Sequence, residues 1–200
     1  MNIHEILKLA GGVMALAMFV PMIVEIVRKR GAGQSFATWA LWAVLDSMLT
    51  VTIWQQHGNY FLSLGFALGG IVLSAVLLKM GGFVWGKFES VIALMVLASL
   101  AVWKFSGPRN ATIAVTTAIC IAGVPGIVVR LRKPQRSAAK LWAGYTVANS
   151  LSLFGGAMWS VEERLAPAAF VALSVAMLAA CWWPQKDLPK SHEVMEKLLA

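Results

Sequence analysis

The stretch "WALWAVLDS" at residues 39–47 decides the fold, because it returns later in the chain as "WAGYTVANS" at residues 142–150. The second copy keeps the first Trp, the first Ala, one Val and the final Ser in register. It has Tyr145 where the first copy has Trp, and Asn149 in place of Asp46. Two stretches that share aromatic, small and polar positions in this order indicate a repeated unit.

A second pair of motifs precedes the two Trp stretches. "VPMIV" at residues 20–24 returns as "VPGIV" at residues 124–128, and each copy is followed by a basic loop and then by its Trp stretch. The proline motifs lie 104 residues apart and the Trp stretches 103 residues apart. The same motifs in the same order, at nearly the same offset, predict an internal duplication of the chain.

The composition identifies the environment of these motifs. The 200 residues are 59% hydrophobic and 13% charged, whereas globular chains average about 25% charged residues. A helix needs roughly 20 apolar residues to cross a hydrocarbon core of about 30 Å. Seven suitable stretches are present, at residues 7–27, 36–54, 60–78, 84–103, 111–129, 139–158 and 166–183. The sequence therefore predicts an all-α integral membrane protein with seven transmembrane helices and no sizeable soluble domain.

The duplication groups these spans into two units. Spans one and two match spans five and six, whereas spans three and seven show little likeness. A three-span unit needs one extra helix before its copy can cross the membrane in the same direction. We therefore predict two parallel three-helix bundles at residues 1–80 and 106–184, a linker helix at 81–105 and a cytoplasmic tail at 185–200.

The net charge of +8 indicates the orientation. Basic residues cluster at the ends of the predicted helices, and short loops rich in Lys and Arg stay in the cytoplasm. Their distribution predicts that the N-terminus lies outside and the C-terminus in the cytoplasm. Anionic lipid headgroups, not nucleic acid, are the expected partners of this charge. The short loops and small size favour a bacterial inner membrane.

The Trp stretches also predict a binding site. On the second span, Trp39, Trp42 and Asp46 are spaced to share one helical face. The matching residues on the sixth span are Trp142, Tyr145 and Asn149, and the adjacent polar side chains are Ser47 and Ser150. A charged Asp near the centre of a membrane helix costs about 3 kcal/mol on the insertion scale. We therefore expect both faces to line a watered central cavity that binds a substrate.

The sequence leaves the role of Asp46 open. An intramembrane carboxyl group can take up and release a proton during transport, or it can bind a substrate amine or hydroxyl group beside the aromatic rings. A static hydrogen bond between Asp46 and Asn149 that holds the halves together is the structural alternative. Glu25 is a second candidate for proton coupling, with an interfacial ion pair to Arg28 as its alternative.

The proline and Trp motifs resemble those of the PQ-loop and SWEET-like superfamily, whose members have three helices, a linker helix and three more helices. The likeness in topology covers nearly the whole chain, and about 30 residues in each half carry the motifs. Pro21 and Pro125 match the prolines of the family's Pro-Gln pairs, but Met22 and Gly126 replace the glutamines. Members that transport sugars carry an Asn on helices 3 and 7, and no Asn lies inside those predicted helices here.

The resemblance implies a solute pathway between the bundles that opens alternately to each side, with Pro21 and Pro125 as hinges. A proline removes a helical N–H and disrupts the preceding turn, so static kinks are the alternative to hinges. We expect a transporter of a small polar organic solute such as a sugar, an amino acid or a vitamin. A membrane receptor or assembly subunit of the same fold, without transport, is the alternative.

The sequence predicts that the protein is not an enzyme. We find no phosphate-binding loop, catalytic carboxylate pair or nucleophile constellation, and the His and Cys residues show no metal-ligand spacing. No cofactor and no metal are therefore expected. Besides the solute and membrane lipids, a second copy of the chain is a candidate partner, since the sequence leaves the oligomeric state open.

Overall fold

The computed structural model describes residues 2–28 and 34–184, and these form helices with no β-strand. The helices are α1 (Ile3–Ala17), α2 (Phe19–Arg28), α3 (Phe36–Gln55), α4 (Phe61–Lys79), α5 (Lys87–Arg132), α6 (Ala139–Gly155) and α7 (Ala166–Cys181). A 3₁₀ turn at Arg136–Ala138 precedes α6, and a π-helical turn at Val161–Leu165 precedes α7. The predicted tail at residues 185–200 lies outside the described residues.

Five helical segments are long and apolar enough to cross a membrane: Ile3–Arg28, Phe36–Gln55, Phe61–Lys79, Lys87–Arg132 and Val161–Cys181. The all-α class is therefore confirmed for the described residues, and these segments indicate an integral membrane protein. The predicted count of seven spans differs from these five for two reasons. Spans four and five lie in one segment, α5, whose two helical parts meet at Gly107, and the sixth span is α6, which has only 17 residues.

The first span is divided at Met18 into α1 and α2. Pro21 explains the position of this break, since a proline ring collides with the carbonyl group four residues earlier, and α1 ends at that residue, Ala17. The equivalent Pro125 lies inside α5, which stays helical around it. The two prolines therefore have different local effects, although their sequence motifs match.

A single glycine divides α5. Gly107 has φ 79° and ψ 176° inside this 46-residue helix, in the region that only glycine adopts readily. The residues between the predicted spans 84–103 and 111–129 are therefore helical apart from Gly107, and Pro108 begins the next turn.

The two parts of α5 run in opposite directions beside α3. In the first part, Glu89 accepts a hydrogen bond from Thr38 at 2.6 Å, and Trp103 donates to Gln55 at 3.1 Å. This part therefore follows α3 from its start to its end. In the second part, Thr112 donates to Thr52 at 3.1 Å, so the chain has turned back at Gly107.

The helix contacts are repeated between the two halves. Helix α4 packs on α1 and α3, and α7 packs in the same way on α5 and α6. Between the halves, α1 packs on α6 and α3 packs on α5. Each of these contacts therefore has a counterpart. In the counterpart, the second part of α5 replaces α1, α6 replaces α3, and α7 replaces α4.

One packing pair is exchanged between the halves. In the first half, the ring of Phe19 fills the space beside Gly69, where a Cβ atom would overlap it. In the second half, Leu173 fills the space beside Gly123, where a Cβ atom would lie 2.6 Å from its Cδ1. Phe19 and Gly123 are 104 residues apart, as are Gly69 and Leu173. In the first half the large residue lies on α2 and the glycine on α4, whereas in the second half the glycine lies on α5 and the large residue on α7. Close packing is thereby preserved at equivalent positions.

Candidate functional site

A cavity of about 80 Å³ lies between the two halves. Six of the eight predicted binding residues line it: Trp39, Trp42, Asp46, Trp142, Tyr145 and Asn149. The remaining lining residues are Phe19, Phe66, Gly70, Ile119, Phe170, Leu173, Ser174 and Met177. The space holds a few water molecules, whereas pockets for small-molecule ligands are roughly 300–1,000 Å³. A larger solute would require the helices to move apart.

Helical periodicity places the six predicted residues at the cavity. Residues three and seven positions apart lie on one face of an α-helix, and α3 and α6 each present such a face. Ring centroids of Trp39 and Trp42 are 6.5 Å apart, and those of Trp142 and Tyr145 are 5.7 Å apart. The two helices therefore contribute equivalent aromatic surfaces.

Three phenylalanines of the cavity were not identified from the sequence. The ring of Phe19 has edge contacts at 6.1 Å with both Trp39 and Tyr145, so it joins the aromatic surfaces of the two halves. Phe66 and Phe170 meet edge to face at 5.5 Å. These two residues are 104 positions apart, so applying the offset of the proline motif to spans three and seven would have paired them.

Asn149 is held by its own half of the molecule. Its amide nitrogen donates to the carbonyl oxygen of Phe170 at 3.0 Å and to Oγ of Ser174 at 3.2 Å. An amide group has two hydrogens, and these bonds use both. No hydrogen bond joins Asn149 to Asp46 within the described residues, so the static pair considered from the sequence is absent. The Oδ1 atom of Asn149 is buried and has no partner there.

Asp46 is 6% exposed and lines the cavity. Its backbone carbonyl accepts a hydrogen bond from Thr50 at 2.7 Å, but its side chain has no hydrogen bond or salt bridge within the described residues. Buried polar groups are rarely left without a partner, because their desolvation is then uncompensated. The carboxyl group therefore needs a proton, water or a ligand to complete its interactions.

The other predicted site residues lie elsewhere. Ser47 donates to the carbonyl oxygen of Ala43 at 2.7 Å and lines a separate groove on α3, and Ser150 is half-buried away from the cavity. Glu25 is exposed on α2. Pro21 and Pro125 are exposed on their helices and do not line the cavity.

Polar bonds join the halves at the end of the molecule where α1 begins, here called the α1-start end. Lys8 forms a salt bridge of 2.8 Å with Glu163. Asn59 donates to the carbonyl oxygen and the Oγ of Ser152 at 2.9 and 3.0 Å. Its backbone N–H donates to the carbonyl oxygen of Glu162 at 3.0 Å. These contacts close the cavity toward that end.

Two of the residues that join the halves occupy equivalent positions in the repeat, which the comparison of motifs did not identify. Asn59 and Glu163 are 104 residues apart, and each reaches from one half to the other. At the opposite end, two polar contacts each stay within one half. There Trp39 donates to Gln34, and Arg130 lies over the ring of Trp142.

Comparison with known proteins does not assign a family to this arrangement. No protein-family model matches the chain, and neither a curated protein sequence nor a solved structure matches it significantly. The function of the cavity is therefore inferred from the residues that form it.

Proposed function

We propose that this protein is a membrane transporter, a facilitator or a proton-coupled carrier, for a small polar organic solute. The central observation is the position and lining of the cavity. It lies at the boundary between two similarly packed halves, and equivalent residues of both halves face it. It also contains the carboxyl group of Asp46, which has no partner among the described residues.

The proposed architecture has seven spans, as two three-helix bundles and a linker helix. Three observations support it: the repeated contacts of α4 and α7, the exchanged Phe19–Gly69 and Gly123–Leu173 pairs, and the reversal of α5 at Gly107. In this arrangement, residues 87–106 form the linker helix and residues 108–132 form the fifth span. It resembles the PQ-loop and SWEET-like superfamily in topology, without the glutamines of the Pro-Gln pairs.

The mechanism follows from the asymmetry of the contacts. The cavity is closed at the α1-start end by the Lys8–Glu163 salt bridge and the bonds of Asn59. Transport requires these bonds to break while the opposite end closes. The break beside Pro21 and the proline within α5 are sites where the helices bend with the loss of few hydrogen bonds.

The charge distribution supports an orientation for this cycle. The positive-inside rule orients the α1-start end outward and the ends of α2, α4 and α5 toward the cytoplasm. The cavity is then closed to the outside in the conformation described. A bacterial inner membrane is the proposed location, and the protein's own chemistry is binding and release without a covalent step.

Transport is tested with pure protein in liposomes. Uptake of radiolabelled sugars, amino acids, amines and vitamins is measured against empty liposomes, with an imposed pH difference and without one. We expect at least one solute to enter in a saturable manner. Tight ligand binding with no flux of any solute, or purification only with a fixed partner protein, would overturn the transport proposal in favour of a receptor or assembly subunit.

A further inference from the structure

The cavity contains hydrogen-bond acceptors that have no partner among the described residues. Asp46 contributes two carboxyl oxygens, and Asn149 contributes the buried Oδ1 atom. The donors without a partner in the described residues are single groups: the buried Nε1 atom of Trp142, and the Nε1 atom of Trp42 and the hydroxyl group of Tyr145, whose residues also line the cavity. An ionised carboxylate accepts several hydrogen bonds and donates none. The missing partner is therefore a group rich in donors.

No cationic side chain supplies those donors. The fourteen lining residues include neither Lys, Arg nor His. Arg130 lies nearby, with its guanidinium 5.1 Å from the ring centroid of Trp142. It donates to the carbonyl oxygen of Gly126 at 3.1 Å and contacts the sulfur atom of Met177. Its Nε atom is buried without a partner in the described residues, but Arg130 does not line the cavity and forms no salt bridge with Asp46.

The remaining surface suits the apolar part of a cation. Aromatic rings carry negative charge on their faces and attract ammonium groups within about 6 Å, most strongly when water is excluded. The rings of Trp39, Trp42 and Tyr145 line the cavity from two helices, and Phe19 and Phe66 close it between them. Seven aromatic side chains thus surround one carboxyl group.

We propose that the cavity selects a small organic ammonium cation without a carboxylate of its own. The ammonium group is paired with Asp46 and Asn149 Oδ1, and its carbon substituents pack on the aromatic rings. A hydroxyl group on the same molecule suits the free N–H of Trp142. A zwitterionic amino acid is disfavoured, because no lining cation balances its carboxylate and burying an unpaired charge is costly. This inference rests on the proposed function, in that it takes the cavity as the solute site.

The test compares cations with neutral molecules of the same shape. Binding of ethanolamine and N-methylethanolamine, both protonated at neutral pH and both carrying N–H donors, to the purified protein is measured by calorimetry. Each is paired with its uncharged analogue, in which carbon replaces nitrogen. We expect each cation to bind at least about tenfold more tightly than its analogue, which corresponds to about 1.4 kcal/mol. Equal binding within both pairs, or no binding of either cation, overturns the inference.

Two variants test whether the preference for cations over neutral analogues arises in the cavity. Asp46→Asn removes the carboxylate with almost no change in shape, and we expect it to lose the preference for cations. Glu89→Gln is the matched control, because it makes the same change in a buried acid that does not line the cavity. A preference that survives Asp46→Asn contradicts the proposed site. If that variant fails to fold, the comparison of each cation with its analogue in the unaltered protein still tests the proposed ammonium site.

The liposome assay separates this inference from the proposal of transport. Cation binding without flux supports the ammonium site and contradicts transport. Flux of a neutral solute, with no binding of either cation, supports transport and contradicts the ammonium site. Saturable uptake of ethanolamine or N-methylethanolamine, together with binding of the same cation, supports both.

Discussion

Asp46 carries the only carboxyl group among the residues that line the cavity. Its position on α3 follows from helical periodicity, and its lack of a protein partner follows from the bonds that Asn149 makes to α7. The residue thus shares the cavity with other buried polar atoms that lack partners in the described residues, Asn149 Oδ1 and Trp142 Nε1. Such groups in a membrane protein commonly mark a pathway for a solute or a proton.

We expect Asp46→Asn to lower the initial rate of uptake at least about tenfold and to remove its dependence on pH between about pH 5 and 8. The amide has neither a negative charge nor a titrating proton, and a tenfold effect corresponds to about 1.4 kcal/mol. Liposome uptake measured across this range tests the prediction, with Glu89→Gln as the control. Undiminished uptake with the original pH profile would exclude Asp46 from the mechanism.

Gly11 allows α1 to approach α6 closely. A Cβ atom there would lie 2.8 Å from the carbonyl oxygen of Ala148, which cannot move independently of its helix. We expect Gly11→Ala to destabilise the protein by about 1–3 kcal/mol, measured by denaturation in detergent. Gly126→Ala is the control, since its Cβ would meet only the flexible side-chain ends of Met177 and Arg130 and alanine favours a helix by up to about 1 kcal/mol. Equal losses in both variants would contradict this explanation.

At the scale of elements, the contact of α2 with α4 differs from that of α5 with α7 by an exchange of large and small residues. Gly69→Leu places a side chain on the ring of Phe19, and Phe19→Gly leaves an empty space. We expect each single variant to lose about 2–4 kcal/mol of stability. The double variant reproduces the pairing of the second half, so it is expected to recover more than half of the summed loss. Denaturation of all four proteins gives the coupling energy, and strictly additive losses would contradict the equivalence.

The salt bridge between Lys8 and Glu163 connects α1 to the turn that precedes α7. Both side chains are largely buried, at 13% and 9% exposure, so removing one partner leaves a poorly solvated charge. We expect Lys8→Glu and Glu163→Lys each to lower stability by about 1–3 kcal/mol, between the values for exposed and buried pairs. The double exchange restores a pair of opposite charges and should recover most of the loss. Melting temperatures that fall further in the double exchange would contradict the role of this pair.

At the scale of the whole molecule, the reversal of α5 at Gly107 determines the number of membrane crossings. Single cysteines at His57, Ser106, Met80 or Lys133, all exposed, report the side of the membrane in a chain without Cys120 and Cys181. With seven spans and an outer N-terminus, the first two are labelled from outside and the last two only from the cytoplasm. Protection of Ser106→Cys from both sides would contradict the seven-span arrangement.

Sequence reasoning succeeded where the signal was local. Hydropathy identified the apolar helices, and the spacing of Trp39, Trp42 and Asp46 placed them on one face that the structure brings to the cavity. It was less successful for spans three and seven, whose likeness is confined to positions such as Phe66 and Phe170. It also treated Ser47 and Ser150 as neighbours of the site, because adjacency along the chain does not give adjacency on a helix.

The apolar helices, the repeated motifs and the composition of the α3 and α6 faces were determined by the amino-acid sequence alone. Each depends on hydropathy, motif order or a helical period, and these properties need no knowledge of distant contacts. Only the tertiary structure decided that Asn149 bonds to α7 and leaves Asp46 unpaired, that Phe19 joins the two aromatic surfaces, and that Lys8 meets Glu163. Those outcomes depend on which helices lie side by side, because a hydrogen bond or ring contact extends only a few ångströms and its partners are up to 155 residues apart in the chain.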